Sequence, residues 1–478
     1  MVFTSILFLL IFLPLFLLVY HTVPNQAKNI VALLFSSVFY VWGAPMFFWL
    51  LLLLLVSNFF IVKRMESVQG PERIKKVLLW LSLLLNLGNL AYFKYANFFV
   101  DNVQLLLGYW GFSAFEWTHV ALPIGISFFT FQSITYTLDV YWGRHKSLER
   151  VQDYLLYILL FPQLIAGPII RFNTIADEIR DRSHNFTANE KLKGVYLFVI
   201  GLAKKVLIAN QVGVQVDDIF TQVDSISSPI AWLGIVAYSI QIYFDFSGYS
   251  DMAIGLGKIM GFNFPENFKS PYTAQSITDF WRKWHITLGA FMRDYLYIPL
   301  GGNRTGNTYV TYLNLTIVFS LSGLWHGAAW TFVIWGIWHG LFLVIERAFL
   351  GRWLKRIPLM LRVGYQYLVV LIGWVFFRAD DFSMARKYLS RMFGADPDKM
   401  ETPAFDFDPG FVTFLLIGLI FSFIVLLPVG KRWDKFFFSS DYSDRQHFAL
   451  FAGSLGLFIL SVSYVATTDF NPFIYFRF

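Results

Sequence analysis

The chain has 478 residues, of which 56% are hydrophobic, 20% aromatic and only 14% charged, with a formal net charge of +7 and no cysteine. Soluble domains carry about a quarter charged residues, so the composition excludes a soluble protein and indicates an integral membrane protein. The missing cysteine excludes disulfides, thiolate metal sites and an acyl-cysteine intermediate. The basic excess sits in short loops between apolar runs, the pattern that orients membrane helices rather than one that grips nucleic acid.

In chain order, apolar segments fall at about 2–20, 29–42, 46–62, 77–93, 121–138, 153–170, 195–209, 230–244, 309–323, 328–346, 363–377, 411–427 and 447–466. A helix crossing the bilayer core needs roughly 17–25 residues, so the chain reads as a multi-pass protein. The first segment lacks a basic leader and is interrupted by Pro14 instead of ending at a small-residue cleavage site. It reads as a retained helix. The segment at 153–170 has Arg144, Lys146 and Arg150 before it and Arg171, Arg180 and Arg182 after it, which makes it a re-entrant segment or one paired with a neighbour.

Three basic clusters set the orientation: Lys63, Arg64, Arg73, Lys75 and Lys76; then Arg347, Arg352, Lys355, Arg356 and Arg362; then Lys431, Arg432 and Lys435. All three are expected to face the cytoplasm. Both termini, including Phe470–Phe478, and a loop at 378–410 then lie outside. That loop carries Asp380, Asp381, Asp396, Asp398, Glu401, Asp406 and Asp408. There is no repeat of fixed period and no low-complexity linker, so 1–478 reads as one domain.

Several polar stretches interrupt this pattern. Tyr243-Phe244-Asp245-Phe246-Ser247-Gly248-Tyr249-Ser250-Asp251 places carboxylates and serines inside an apolar segment, and such islands are rare in lipid unless they line a cavity. A serine triad there lacks the glycine-x-serine-x-glycine elbow, which favours a structural or pocket-lining role for Asp245, Ser247 and Asp251. The stretch at 263–308 is polar and contains an amphipathic helix. On it Ile277, Phe280, Trp281, Trp284, Leu288, Phe291, Met292 and Tyr295 share one side and Asp279, Arg282, Lys283, Arg293 and Asp294 the other. The periodicity predicts a helix lying at the membrane interface. His285 falls at the edge of its apolar stripe, either aimed into a pocket or anchoring the helix by a hydrogen bond.

Tyr297-Ile298-Pro299-Leu300-Gly301-Gly302-Asn303-Arg304 reads as a tight turn, with Asn303 and Arg304 as candidate substrate contacts. Next comes Leu321-Ser322-Gly323-Leu324-Trp325-His326-Gly327-Ala328-Ala329-Trp330. His326 has apolar residues on both sides, where a protonated imidazole is costly and the neutral form is the one that accepts a proton. It is either a catalytic base or a buried histidine bonded to a neighbouring helix. His339 follows 13 residues later, about 20 Å along a straight helix, so the two do not form a metal pair. No histidine pair has the four-residue spacing of a zinc hydrolase, and no metal is expected.

Taken together, Asp279–Leu288, Tyr297–Arg304 and Leu324-Trp325-His326-Gly327 resemble the membrane-bound O-acyltransferase family. Phe161–Pro168, Tyr243–Asp251 and the ending Phe473–Phe478 are similar to its alginate-acetylating branch. The resemblance spans essentially the whole chain. It implies an all-α integral membrane protein, a ring of about 11 tilted helices with re-entrant and interfacial helices around a thinned centre and channel. His326 matches the family's catalytic histidine and His285 its second histidine, with Trp325 beside them in the channel lining.

The implied activity is acetyl transfer from a cytoplasmic thioester, acetyl-coenzyme A, to hydroxyls of an extracytoplasmic polysaccharide such as alginate, or to a partner protein that acetylates it. His326 is expected to withdraw the hydroxyl proton while His285 positions the donor or stabilises the oxyanion. No bound cofactor is implied. The expected setting is a bacterial inner membrane. Rival readings are D-alanyl transfer from a carrier protein by a related branch, a proton-coupled transporter and a noncatalytic scaffold.

Overall fold

The computed structural model describes residues 3–165, 167–304, 306–394, 407–439 and 442–468. Ala166 of the 161–168 motif, Asp396, Asp398, Glu401 and Asp406 of the acidic loop, and the ending Phe470–Phe478 lie outside the described residues. Among those described there is no strand, and the protein is an all-helical membrane protein. Among the described residues seven helices are long and apolar enough to cross a membrane, and Phe8–Thr22 is a shorter apolar helix.

The chain forms two compact units, Met1–Gly194 with Leu256–Pro265, and Val195–Gly255 with Glu266–Phe478. The principal helices of the first unit are α1 (Leu13–Thr22), α2 (Asn25–Gly43), α3 (Pro45–Ser67), α4 (Glu72–Leu90), α5 (Ile126–Tyr141) and α6 (Val151–Leu159). Buried polar groups join them. Asn58 on α3 accepts from Ser82 Oγ at 2.6 Å and Asn86 Nδ2 at 3.0 Å on α4, and donates to Tyr154 OH on α6 at 2.8 Å. Between apolar helices in lipid, bonds of this kind supply the specificity that hydrophobicity cannot. α6 has only nine residues, too few to cross alone, which fits the expectation that 153–170 is no simple span.

The later helices are α7 (Ala188–Ala203), α8 (Asn210–Thr221), α9 (Ser228–Ile259), α10 (Ile277–Trp281), α11 (Ile286–Phe291), α12 (Thr308–His326), α13 (Trp330–Ile345), α14 (Leu359–Arg378), α15 (Phe382–Met392), α16 (Pro409–Phe423) and α17 (Asp444–Thr467). α9 is the most enclosed of the spans, 78% of its apolar window being buried, against 11% for α17. The core of the second unit gathers Tyr238 and Phe246 of α9, Phe280 of α10, Trp335 of α13 and Trp374 of α14.

Three local readings of the sequence change here. The polar island at 243–251 does not interrupt its helix, because α9 runs through it. A Cβ on Gly248 would sit 2.7 Å from the carbonyl oxygen of Gly201, so the glycine serves close helix crossing rather than a break. The amphipathic helix is not continuous either. It stops at Trp281, turns, and restarts as α11 after His285, whose φ of 45° is left-handed. Its stripe is nevertheless buried at Phe280, Trp284, Leu288, Phe291, Met292 and Tyr295, and Phe280 and Trp284 pack into the protein core rather than against lipid. The 378–410 loop, finally, contains α15, capped by the Asp381 side chain accepting from Met384 N–H at 2.7 Å.

Candidate active site

α12 and α13 make a helical hairpin whose close approach depends on glycine. A Cβ on Gly323 would lie 2.2 Å from Phe332 O, and one on Gly336 2.3 Å from Phe319 O. This crossing holds His326, the last residue of α12, beside Trp335 of α13, with ring centroids 5.1 Å apart and nearly perpendicular at 87°. Phe377 of α14 closes another side at 5.2 Å and Trp325 a third at 4.9 Å. His326 is 5% exposed, so its imidazole works in an aromatic, largely water-free setting.

His285 reaches the same place from the turn between α10 and α11. Its ring centroid is 6.5 Å from that of His326 and 6.2 Å from that of Trp325. Phe246 of α9 packs edge-on against it at 4.7 Å. The turn is held by the extended segment before α10: Lys269 N–H donates to Lys283 O at 2.9 Å, and Ile286 N–H to Asn267 O at 2.9 Å. A left-handed non-glycine residue costs roughly 1–2 kcal/mol, and these contacts hold it in place.

Asn267 also orients the ring. Its Oδ1 accepts from Thr287 N–H at 3.3 Å and Thr287 Oγ1 at 2.8 Å, and its Nδ2 donates to Ser250 Oγ on α9 at 3.0 Å. The backbone donor identifies the oxygen end of the amide. His285 Nδ1, 3.0 Å from that oxygen, is therefore the protonated nitrogen, and Nε2 carries the lone pair. Nε2 is buried without a hydrogen-bond partner among the described residues. Burial pushes the His285 imidazole down from 6.5 to about 3, so the ring is neutral at physiological pH and Nε2 is an acceptor.

The other residues singled out in the sequence divide. Trp325 joins the two histidines. Asp245 forms a buried ion pair with Lys205 at 2.6 Å, and Asp251 pairs with Lys204 at 2.6 Å, so both carboxylates are engaged with lysines in the chain that follows α7. Ser247 is buried on α9, its Oγ without a partner among the described residues. Asn303 lies in an exposed turn, accepting from Tyr297 OH at 2.5 Å and Arg347 Nη1 at 2.7 Å, with Arg304 exposed next to it. His339 is fully buried between Trp281 at 5.0 Å and Trp335 at 5.1 Å. Sequence reasoning missed Asn267, Trp335 and Phe377, and noted Ser250 only as one of the serines of the 243–251 island. It also missed Lys204 and Lys205, although two adjacent lysines in an apolar run facing an island with two aspartates are a readable signal of charge pairing.

Two buried histidines thus lie side by side among aromatic rings in a multi-pass helical membrane protein. The chain matches the membrane-bound O-acyltransferase family over residues 77–378, and it belongs to that family. Among its relatives, a probable alginate O-acetylase AlgI of Azotobacter vinelandii is 39% identical, with 100% of each chain covered. One of the same description from Pseudomonas aeruginosa is 42% identical over 90% of this chain and 82% of its own length. A peptidoglycan O-acetyltransferase of Helicobacter pylori is 38% identical over 82% of this chain and 80% of its own. The protein is thus an O-acyltransferase.

Proposed function

We propose that the protein transfers acetyl groups from acetyl-coenzyme A on the cytoplasmic side to hydroxyls of an extracytoplasmic polysaccharide such as alginate, directly or through a partner protein. The relatives named for alginate and peptidoglycan O-acetylation support the acceptor class. The observation that carries the chemistry is the 6.5 Å pairing of His285 and His326 rings within one buried aromatic site.

In this reading His326 is the general base. It takes the acceptor hydroxyl proton as that oxygen attacks the thioester carbonyl carbon. The new C–O bond forms, the C–S bond breaks, and the imidazolium returns its proton to the leaving thiolate. A positioned base contributes about 10²–10⁴ in rate. His285 acts differently. With Nδ1–H given to Asn267, its Nε2 can accept but not donate, which favours holding the attacking hydroxyl over donating to an oxyanion.

The test uses purified protein in liposomes with acetyl-labelled coenzyme A and a polysaccharide acceptor, following release of free coenzyme A and transfer of label. Turnover in wild type that is lost in His326→Ala is the expected result. Equal turnover in both would remove His326 from the chemistry, and no wild-type turnover with any acceptor would remove acetyl-coenzyme A as donor.

A further inference from the structure

A cavity of about 740 Å³ opens in the second unit where the start of α10 meets the end of α13 and the start of α14. Five cations line it: Arg282, Arg347, Arg352, Lys355 and Arg362. Two carboxylates line it as well, Asp279 and Glu346, leaving a formal charge of 5 − 2 = +3. Neither carboxylate serves those cations. Asp279 Oδ2 accepts from Lys283 Nζ at 2.9 Å and Gln275 N–H at 3.1 Å. Glu346 accepts from Ile277 N–H at 2.6 Å and from Thr278 N–H at 2.9 Å and Oγ1 at 2.6 Å, which also occupies the first turn of α10.

The cations, by contrast, have no carboxylate partner among the described residues. Arg347 donates to the neutral Asn303 and Arg352 to its own helix at Ala348 O. Arg362 has a buried Nε–H with no acceptor among the described residues. Membrane orientation explains basic residues near a helix end. It does not explain why they converge on one concavity with the neighbouring acids turned to other tasks, nor why a guanidinium N–H is buried unsatisfied, at a cost of about 1–3 kcal/mol.

We infer that this cavity binds a multiply charged phosphate ester through Arg282, Lys355 and Arg362, supported by Arg347 and Arg352. Guanidinium groups suit phosphate because their N–H forks match its oxygens. α10 links the cavity to the chemistry: its first turn and Arg282 line the cavity, and His285 follows three residues after Arg282. The inference rests on the proposed acyl transfer in one respect, namely that a donor anchored here by its phosphates extends its thioester arm to the histidine pair. An acidic phospholipid headgroup offers the same phosphate chemistry.

The probe that separates these sources is adenosine 3′,5′-bisphosphate, which has no thiol and no acyl group, titrated by calorimetry into the protein in nanodiscs of neutral phosphatidylcholine. The proposal expects saturable, salt-sensitive binding that weakens at least tenfold in Lys355→Gln/Arg362→Gln, whereas Arg73→Gln, an exposed cation outside the cavity, leaves it unchanged. Lys355→Gln alone, at an exposed side chain, serves if the double variant does not fold. A second arm measures phosphatidylglycerol retained by the protein in native mass spectrometry. Retention lost in the variant without bisphosphate binding supports the phosphate site and assigns it to the membrane. Neither probe bound, or both bound equally by variant and wild type, overturns it. Because the bisphosphate is never turned over, failure of acetyl transfer leaves this measurement intact.

Discussion

Asn267 Oδ1 stands 3.0 Å from His285 Nδ1 across 18 residues of chain, and through that contact sets which face of the imidazole can accept a proton or a hydroxyl. Removing the amide frees the ring to rotate and to exchange tautomers. Asn267→Ala is expected to lose about 1–3 kcal/mol of orientation, a fall in kcat of roughly 10- to 100-fold, with the donor KM little changed. Asn267→Asp keeps an oxygen acceptor for Nδ1–H and restores part of the rate. Steady-state kinetics on the reconstituted enzyme decide the matter: equal loss in both variants would make Asn267 a packing residue only.

His285 and His326 are expected to act as one unit. His326→Ala lowers kcat about 10²–10⁴-fold, and His285→Ala lowers it by a smaller factor. Groups that serve one transition state are strongly non-additive. The double variant should therefore be no slower than His326→Ala within about tenfold, as single-turnover rates would report, and multiplied losses would mean that the two rings serve separate steps.

How far this site is legible without coordinates depends on the kind of signal each residue leaves. His326 stands out because an ionisable group within an apolar run is rare and costly, and Trp325 comes with it. Asn267 leaves no such signal. It is one asparagine in a polar loop, and its role comes from a left-handed turn at His285 that brings distant backbone together. Periodicity found the buried stripe of 277–295 but not the break in its helix, since tertiary bonds to Asn267 and Lys269 outweigh local helical preference there. The boundaries of α12 lie near those expected from hydropathy, and so does the start of α9, but α9 continues to Ile259, 15 residues past the expected end at 244, because its polar island stays helical inside the protein. The crossing of α12 on α13 depends on glycine contacts that no one-dimensional pattern displays.

Those glycines give a sharp contrast. Gly323→Ala places a methyl 2.2 Å from Phe332 O, a backbone atom that cannot step aside, and overpacking of this kind costs about 1–3 kcal/mol. It should lower the melting temperature in detergent and reduce turnover by moving His326. Gly88→Ala on α4 meets nothing within 4 Å and should be neutral or slightly stabilising, since alanine favours helix by up to about 1 kcal/mol. A melt in which the two variants coincide would contradict the tight crossing.

Acid should destabilise the protein through His285. Its folded imidazole is held near 3 by burial, below the ordinary 6.5. Between those values the unfolded chain binds a proton that the folded chain does not, so stability falls as pH drops through that window. Thermal melts from pH 7 to pH 4 should show a decline that His285→Gln makes shallower. An unchanged slope in the variant would place the acid sensitivity elsewhere.

The Lys205–Asp245 pair is expected to show the asymmetry of buried ions. Both side chains are almost fully enclosed, 4% and 1% exposed, and their charged atoms are 2.6 Å apart. Deleting one charge strands the other in a low-dielectric interior, which typically costs about 3–5 kcal/mol, while replacing both with apolar groups of similar volume is often near neutral. Lys205→Met and Asp245→Leu should each lower the melting temperature sharply, and Lys205→Met/Asp245→Leu should recover most of the loss. If the recovered double variant also regains acyl transfer, the polar island at 243–251 is structural at Asp245. If it folds but stays inactive with the histidine pair intact, the ion pair contributes charge that the reaction uses.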